Sequence, residues 1–74
     1  MERIKVESSN ISSIGYDEQN QILEVEFYDF RVFQYIGVPL EVYTNLMEAP
    51  SKGQFFARAI RSKYKYRRIA GDRQ

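Results

Sequence analysis

The residues best suited to chemistry in this chain are cations and rings gathered in its last third. Arginine and lysine neutralise phosphates, and aromatic faces stack on unpaired bases. Arg58, Arg61 and Lys65 recur at helical spacing, which predicts a basic helix face. We predict a nucleic-acid-binding site composed of Lys52, Arg58, Arg61, Lys65, Tyr66, Arg67, Arg68 and Tyr35.

The charge distribution favours an anionic partner for this end of the chain. The net charge is only +1. Residues 52–74 contain eight cations and one acidic residue, whereas residues 1–51 contain three cations and nine acidic residues. Such asymmetry points to a polyanion. An acidic and a basic surface that complement each other within one fold explain it equally well. The pattern does not separate RNA from DNA, or either from an acidic protein.

Catalytic chemistry has little support in the sequence. The chain contains no His and no Cys, so the usual neutral-pH acid–base group and thiolate metal sites are missing. Glu24 and Glu26 lie two apart, as in a paired-carboxylate site, but a solvated strand face is the better interpretation. Residues 8–10 read as a turn rather than as a nucleophile. We therefore predict no enzyme, no metal and no cofactor.

Length and composition indicate one small domain. A chain of 74 residues buries only about 60% of the surface it exposes when unfolded, so eleven aromatic residues must supply much of the core. Apolar residues nowhere run long enough to cross a bilayer, and no membrane partner is expected. The absence of Cys fits a reducing compartment, so we expect a cytoplasmic protein.

Hydrophobic periodicity predicts three strands followed by two helices. Residues 14–16, 23–28 and 32–36 alternate in polarity and are joined by short polar connections, which favours an antiparallel meander. Residues 40–48 predict a first helix. A capping box at Ser51 and Gln54 begins a second helix that extends to about residue 64. The expected fold class is α+β: a three-stranded antiparallel sheet with both helices packed on one face.

Several segments leave more than one interpretation open. Residues 1–7 are a ragged lead-in or an added edge strand, and residues 70–74 are a flexible tail. Residues 64–69 alternate rings and cations, which suits an extended segment lying back on the sheet. Tyr28, Phe33 and Tyr35 form either a stacking platform for RNA or part of the core, and core is the commoner outcome. Gly53 suggests close approach of backbone or ligand.

The order of these short motifs resembles the KTSC domain, a module found at the C-terminus of some lysyl-tRNA synthetases and as a stand-alone bacterial protein. The resemblance covers residues 8–69. The central Tyr-x-Tyr of the family is Phe33-Gln34-Tyr35 here, so the first ring has lost its hydroxyl. The other matching elements are Ser8-Ser9, Ile14-Gly15-Tyr16, Leu23-Glu24-Val25-Glu26-Phe27, Val38-Pro39, Val42-Tyr43, Ala49-Pro50-Ser51-Lys52-Gly53-Gln54-Phe55-Phe56, Ile60-Arg61 and Tyr64.

The resemblance implies a module whose biochemical role is not established and for which the synthetase context suggests RNA. It supplies no catalytic residue. We therefore expect a non-catalytic RNA-binding module that uses the basic C-terminal helix and tail. The alternative is a protein-interaction module, including a homodimer in which the acidic sheet of one copy meets the basic helix of another.

Overall fold

The computed structural model describes residues 1–70. Residues 71–74, which make up nearly all of the predicted tail at residues 70–74, lie outside the described part. It has an antiparallel sheet and two helices, which confirms the α+β class. The prediction of three strands is wrong, because this part of the chain forms five, in the sheet order β1-β2-β3-β4-β5. The strands are β1 (Ile4–Lys5), β2 (Ile11–Asp17), β3 (Ile22–Phe27), β4 (Val32–Ile36) and β5 (Lys65–Ala70).

The two additional strands lie at the two edges of the sheet. At one edge, β1 pairs with β2 through Ile4 and Ile14. At the other edge, β5 pairs with β4, and Tyr66 lies opposite Tyr35. Alternation of rings and cations in residues 64–69 has the period of two that a strand requires. The extended segment proposed for this stretch is therefore a hydrogen-bonded part of the sheet.

The helices are α1 (Leu40–Glu48) and α2 (Lys52–Ala59). The Ser51 hydroxyl accepts from the Gln54 N–H at 3.3 Å, which is one of the two hydrogen bonds of the predicted capping box. The second helix ends earlier than predicted, because the chain leaves helical geometry at Ile60 and turns into β5. Within residues 1–70, neither helix is long and apolar enough to cross a membrane.

The early end of α2 separates residues that the helical spacing had grouped together. Arg58 lies in α2, Arg61 lies in the turn that follows, and Lys65 begins β5. The predicted helix face with these three cations is therefore wrong. Burial of Ile60 in the core explains the turn, since it anchors the chain where it must reverse towards the sheet edge.

Both helices pack on one face of the sheet and enclose the core. Leu46 of α1 and Phe56 of α2 contact a layer that includes Val25 and Tyr35. Phe33 is half-buried against the same cluster. The core interpretation is confirmed for Phe33 and Tyr35, so they form no stacking platform on the open face of the sheet, whereas Tyr28 is exposed.

The opposite face of the sheet is polar, but it is not simply solvated. Glu24 points to this face and is only 4% exposed. The Arg3 guanidinium donates to one of its carboxylate oxygens, and the Gln34 amide donates to the other at 2.8 Å. The solvated-face interpretation of Glu24 is therefore wrong, because the chain before β1 covers it.

Gly15 explains how this covering segment lies so close to the sheet. An added Cβ at Gly15 would lie 2.5 Å from the backbone oxygen of Glu2 and 3.0 Å from Cγ of Arg3. Distances of this kind exclude a side chain without movement of the neighbouring backbone. The residues before β1 thus fit against a strand position that only glycine leaves open.

Candidate nucleic-acid-binding groove

A groove of about 620 Å³ opens on the helix side of the molecule, between the β3–β4 hairpin, β5 and α2. We call it the aromatic groove. Two arginines, Arg31 and Arg61, lie at its walls, and Asp29 is its acidic residue. Its rings are Phe27, Tyr28, Phe33, Tyr35, Phe56 and Tyr66.

Tyr35 lies at the centre of these rings and differs sharply in exposure from its neighbour on β5. Its ring centroid is 5.2 Å from that of Phe56, 5.6 Å from that of Tyr66 and 6.4 Å from that of Phe33. Tyr35 is 3% exposed, so its faces are closed to a ligand. Tyr66 is 61% exposed and keeps a ring surface open. Of the two rings, Tyr66 is therefore the one that offers a face to a ligand, and the stacking role of Tyr35 stays a prediction that its burial disfavours.

Two guanidinium groups rest on the rings of the groove from different parts of the chain. The Arg31 guanidinium carbon lies 5.6 Å from the ring centroids of both Phe27 and Phe33. The Arg61 guanidinium carbon lies 5.9 Å from the ring centroid of Phe56. These distances suit cation–π attraction, which orders a long side chain at the surface. The groove thus carries two oriented positive groups beside an apolar floor.

The Tyr35 hydroxyl has no hydrogen-bond partner among the described residues, although the rest of the residue is buried. Within residues 1–70, the structure leaves no fully buried side-chain polar atom unsatisfied, so this hydroxyl keeps access to the groove. Burial raises the pKa of Tyr35, and Tyr66 adds to this effect, whereas Arg61 and Arg31 oppose it. Tyr35, Arg31 and Arg61 all line the groove.

Asn10 forms part of the rim and explains the glycine at the start of α2. Its side-chain oxygen accepts from the Ser8 hydroxyl at 3.1 Å. An added Cβ at Gly53 would lie 2.6 Å from that oxygen. The close approach predicted at Gly53 is thus made by the Asn10 side chain. The amide backbone of Ser8–Asn10 forms the turn that the polar cluster indicated, with Asn10 N–H donating to Ser8 Oγ at 3.4 Å.

The structure brings together only part of the predicted site. Tyr35, Tyr66 and Arg61 line the groove. Arg68 lies opposite Phe33 in the β4–β5 register, which places it on the same side of the sheet. Lys65 and Arg67 alternate with Tyr66 and therefore face the other side, where Arg67 Nε donates to the Gln34 side-chain oxygen at 2.8 Å.

The remaining predicted residues lie away from the groove. Arg58 is exposed on α2 and borders a shallow depression beside the end of α1. Lys52 Nζ donates to the backbone oxygen of Ala49 at 3.3 Å. The basic residues of the C-terminal third therefore do not form the continuous strip that the helical spacing predicted.

Arg31 is the functional candidate that the sequence analysis missed. It lies outside the basic segment, in the β3–β4 turn, and the acidic residues Glu24, Glu26 and Asp29 precede it in sequence. The available signal was its position in sequence between Phe27 of β3 and Phe33 of β4, since neighbouring rings attract a guanidinium. Within residues 1–70, no group of three or more His, Cys, Asp or Glu side chains could hold a metal ion.

The chain that forms this groove is similar to proteins of a known family. A family model described as "KTSC domain" matches residues 7–64. The chain belongs to the KTSC domain family. The crystal structure of a KTSC domain protein from Yersinia pestis superposes with a TM-score of 0.91 at 45% sequence identity. That comparison covers 93% of this chain and 97% of the other.

Relatives of this KTSC domain occur both alone and within a larger enzyme. An uncharacterized protein from Stutzerimonas stutzeri is 43% identical over 70 residues, which cover 93% of this chain and 99% of that protein. A lysine–tRNA ligase from Trichormus variabilis is 40% identical over 67 residues. These residues cover 90% of this chain but only 12% of the ligase, so the likeness concerns one segment of that enzyme.

Proposed function

We propose that this KTSC domain is a non-catalytic module that binds unpaired RNA in the aromatic groove. The observation that carries the proposal is the groove itself: an exposed ring, Tyr66, beside two arginines that rest on further rings. Aromatic faces bind bases without regard to sequence, and arginines bind the phosphates that connect them.

The shape of the groove favours single strands over duplexes. Tyr66 presents an exposed ring, whereas Tyr35 is closed by its neighbours. A base that stacks on Tyr66 must be free of its own partner, as it is in a loop or at an end. In a duplex the base faces are covered, and only phosphates would reach the arginines.

The relatives add an independent argument. A segment like this chain is part of lysine–tRNA ligases, whose name states that they act on a transfer RNA. A module attached to such an enzyme gains from holding exposed nucleotides of the same RNA, because tethering raises the effective concentration of the second contact. We extend this use of the domain to this chain.

Salt-dependent binding of a fluorescent single-stranded RNA tests the proposal. Arg31, Arg61 and Arg68 lie on the groove side and Asp29 offsets one of these charges, so two neutralised phosphates give a log–log slope of about −1.4 for a single strand. Arg61→Gln should weaken binding and reduce the slope by about 0.7. Arg58→Gln is the matched control, because it removes the same charge from α2 outside the groove. No binding at low salt, or a slope near zero, would overturn the proposal.

Further RNA and DNA forms define what the groove selects. A hairpin loop and a linear oligomer should compete with each other, whereas a blunt duplex of the same length should bind more weakly. DNA of the same sequence tests whether the 2′-hydroxyl contributes. An equal effect of Arg58→Gln and Arg61→Gln would place the contact outside the groove and contradict this assignment.

The homodimer alternative receives less support from the geometry. It requires acidic groups on the sheet that are available to a second copy. Glu24 is instead covered and bound by Arg3 and Gln34, and Glu26 accepts from the Ser13 hydroxyl at 2.8 Å. Sedimentation over a wide concentration range separates the two functions, since the RNA-binding proposal does not require self-association.

A further inference from the structure

The Tyr35 hydroxyl is the most informative polar group in the aromatic groove. Its residue is buried, it borders the groove, and none of the described residues forms a hydrogen bond with it. A phenolic hydroxyl that is held among rings without a partner is costly unless a ligand or water satisfies it. The position therefore requires an acceptor from outside the chain.

Two guanidinium groups lie on rings that contact Tyr35. Arg61 rests on Phe56 and Arg31 rests on Phe33, and both rings pack edge-on against Tyr35. Asp29 engages Nε of Arg31 at 2.6 Å, which leaves the terminal nitrogens of Arg31 without a partner among residues 1–70. Asp29 is the acidic residue of the groove, so the two arginines exceed it by one positive charge.

We propose that the aromatic groove contains a seat for one phosphate ester, in which the Tyr35 hydroxyl donates to a phosphate oxygen between the Arg31 and Arg61 guanidinium groups. This inference rests on the proposed function and defines its central contact. A phosphodiester carries the single negative charge that balances the excess in the groove. The base of the same nucleotide then lies beside Tyr66, whose ring is 5.6 Å from that of Tyr35.

The two aromatic residues of the Phe33-Gln34-Tyr35 segment contribute differently to the seat. Phe33 contributes a ring on which Arg31 rests, and this contact needs no hydroxyl. Tyr35 contributes the donor. The phosphate seat therefore needs no hydroxyl on Phe33, whereas removal of the Tyr35 hydroxyl would remove its neutral donor.

The test compares wild-type protein, Tyr35→Phe and the matched control Tyr64→Phe, whose ring lies outside the groove. Each is titrated with a linear RNA hexamer with or without a 5′-phosphate. A hydrogen bond to a charged group justifies a loss of about tenfold or more for Tyr35→Phe. The salt slope should not change, because the hydroxyl carries no charge. Tyr64→Phe should bind like the wild type.

The two hexamers distinguish the sources of the phosphate. An equal loss with both identifies an internal phosphodiester, whereas a loss only with the phosphorylated hexamer identifies a terminal monoester. Either result supports the seat. Wild-type binding of both hexamers by Tyr35→Phe would overturn it, while leaving RNA binding by the domain in place.

A second measurement decides the case in which no RNA binds. Uridine 5′-monophosphate, uridine and inorganic phosphate are titrated into protein with labelled tyrosine rings and arginine Nε atoms. The seat predicts that both phosphate compounds, but not uridine, shift the signals of Tyr35, Arg31 and Arg61. Absence of these shifts at millimolar phosphate would overturn the seat independently of the RNA result.

Discussion

Tyr35 and Tyr66 lie opposite each other on β4 and β5, with ring centroids 5.6 Å apart, yet one ring is closed and the other is open to solvent. The pair divides two tasks between two similar side chains. Tyr35 contributes to the core and presents a hydroxyl, whereas Tyr66 presents a ring surface. This division connects the stability of the sheet edge with the proposed binding of a nucleotide.

Tyr66→Ala should weaken RNA binding far more than it weakens the fold. Base–aromatic stacking contributes about 1–3 kcal/mol per base, so affinity should fall by roughly fivefold to a hundredfold. Ile69→Ala is the control, because it shortens another exposed apolar side chain of β5 outside the groove. Fluorescence anisotropy measures the affinity and urea unfolding measures the stability. Equal binding by both variants would contradict the stacking role.

Arg3 and Glu24 should be strongly coupled in stability. Arg3→Met leaves a covered carboxylate without its guanidinium partner, and we expect the free energy of unfolding to fall by about 2 kcal/mol. In a Glu24→Gln background the same substitution should cost much less, since no buried charge remains. Lys5→Met is the control on β1. Additive effects in the urea-unfolding cycle would show that the chain before β1 does not hold Glu24.

Phe30→Gly should stabilise the protein. Phe30 has a φ of +72° at the β3–β4 turn and is 60% exposed, so a bulky side chain occupies a left-handed position with little burial in return. Glycine adopts this conformation without steric cost, and a gain of about 1 kcal/mol corresponds to a rise in Tm of roughly 4–8 °C. Tyr28→Gly, at a neighbouring exposed ring, should instead destabilise. Calorimetry of both variants decides the sign.

Alkaline pH should destabilise the protein partly through Tyr35. Burial raises the pKa of Tyr35 above its ordinary value of 10.0, so above pH 10 the unfolded chain loses this proton before the folded one does. The stability contributed by the neutral hydroxyl is complete below pH 10 and declines as pH rises towards the folded pKa. Tyr35→Phe should therefore lose less stability between pH 9 and 11. Urea unfolding at several pH values measures this difference. An equal fall in the free energy of unfolding for the two proteins would contradict an origin in Tyr35.

The sequence carried enough information for the class of fold but not for its edges. Alternation in residues 23–28 and apolar spacing in residues 40–48 report on local structure, and both elements form as predicted. β1 is only two residues long, and β5 pairs with a strand that precedes both helices, so local periodicity defines neither of them. Helical spacing from Ser51 to Tyr64 likewise predicted too long a helix for α2. The chain leaves the helix after Ala59, because the following strand pairs Tyr66 with Tyr35.

The candidate site was predictable in its residue types but not in its arrangement. Arg61, Tyr66 and Tyr35 were identified, yet their meeting with Arg31 requires the hairpin, the turn after α2 and the last strand to converge. Strand alternation sends Arg67 to the opposite face, although it lies next to Tyr66 in sequence. Composition detects a basic segment, but only the pairing of β4 with β5 decides which of its cations share a surface.

A map of amide chemical shifts during titration with an unphosphorylated single-stranded RNA hexamer tests the central claim most directly. The account predicts that shifts at low salt concentrate at Asn10, Arg31, Arg61 and Tyr66, with smaller changes at Arg58 and on the Glu24 face of the sheet. Absence of shifts at low salt, or shifts confined to the outer surface of α2, would contradict RNA binding in the aromatic groove.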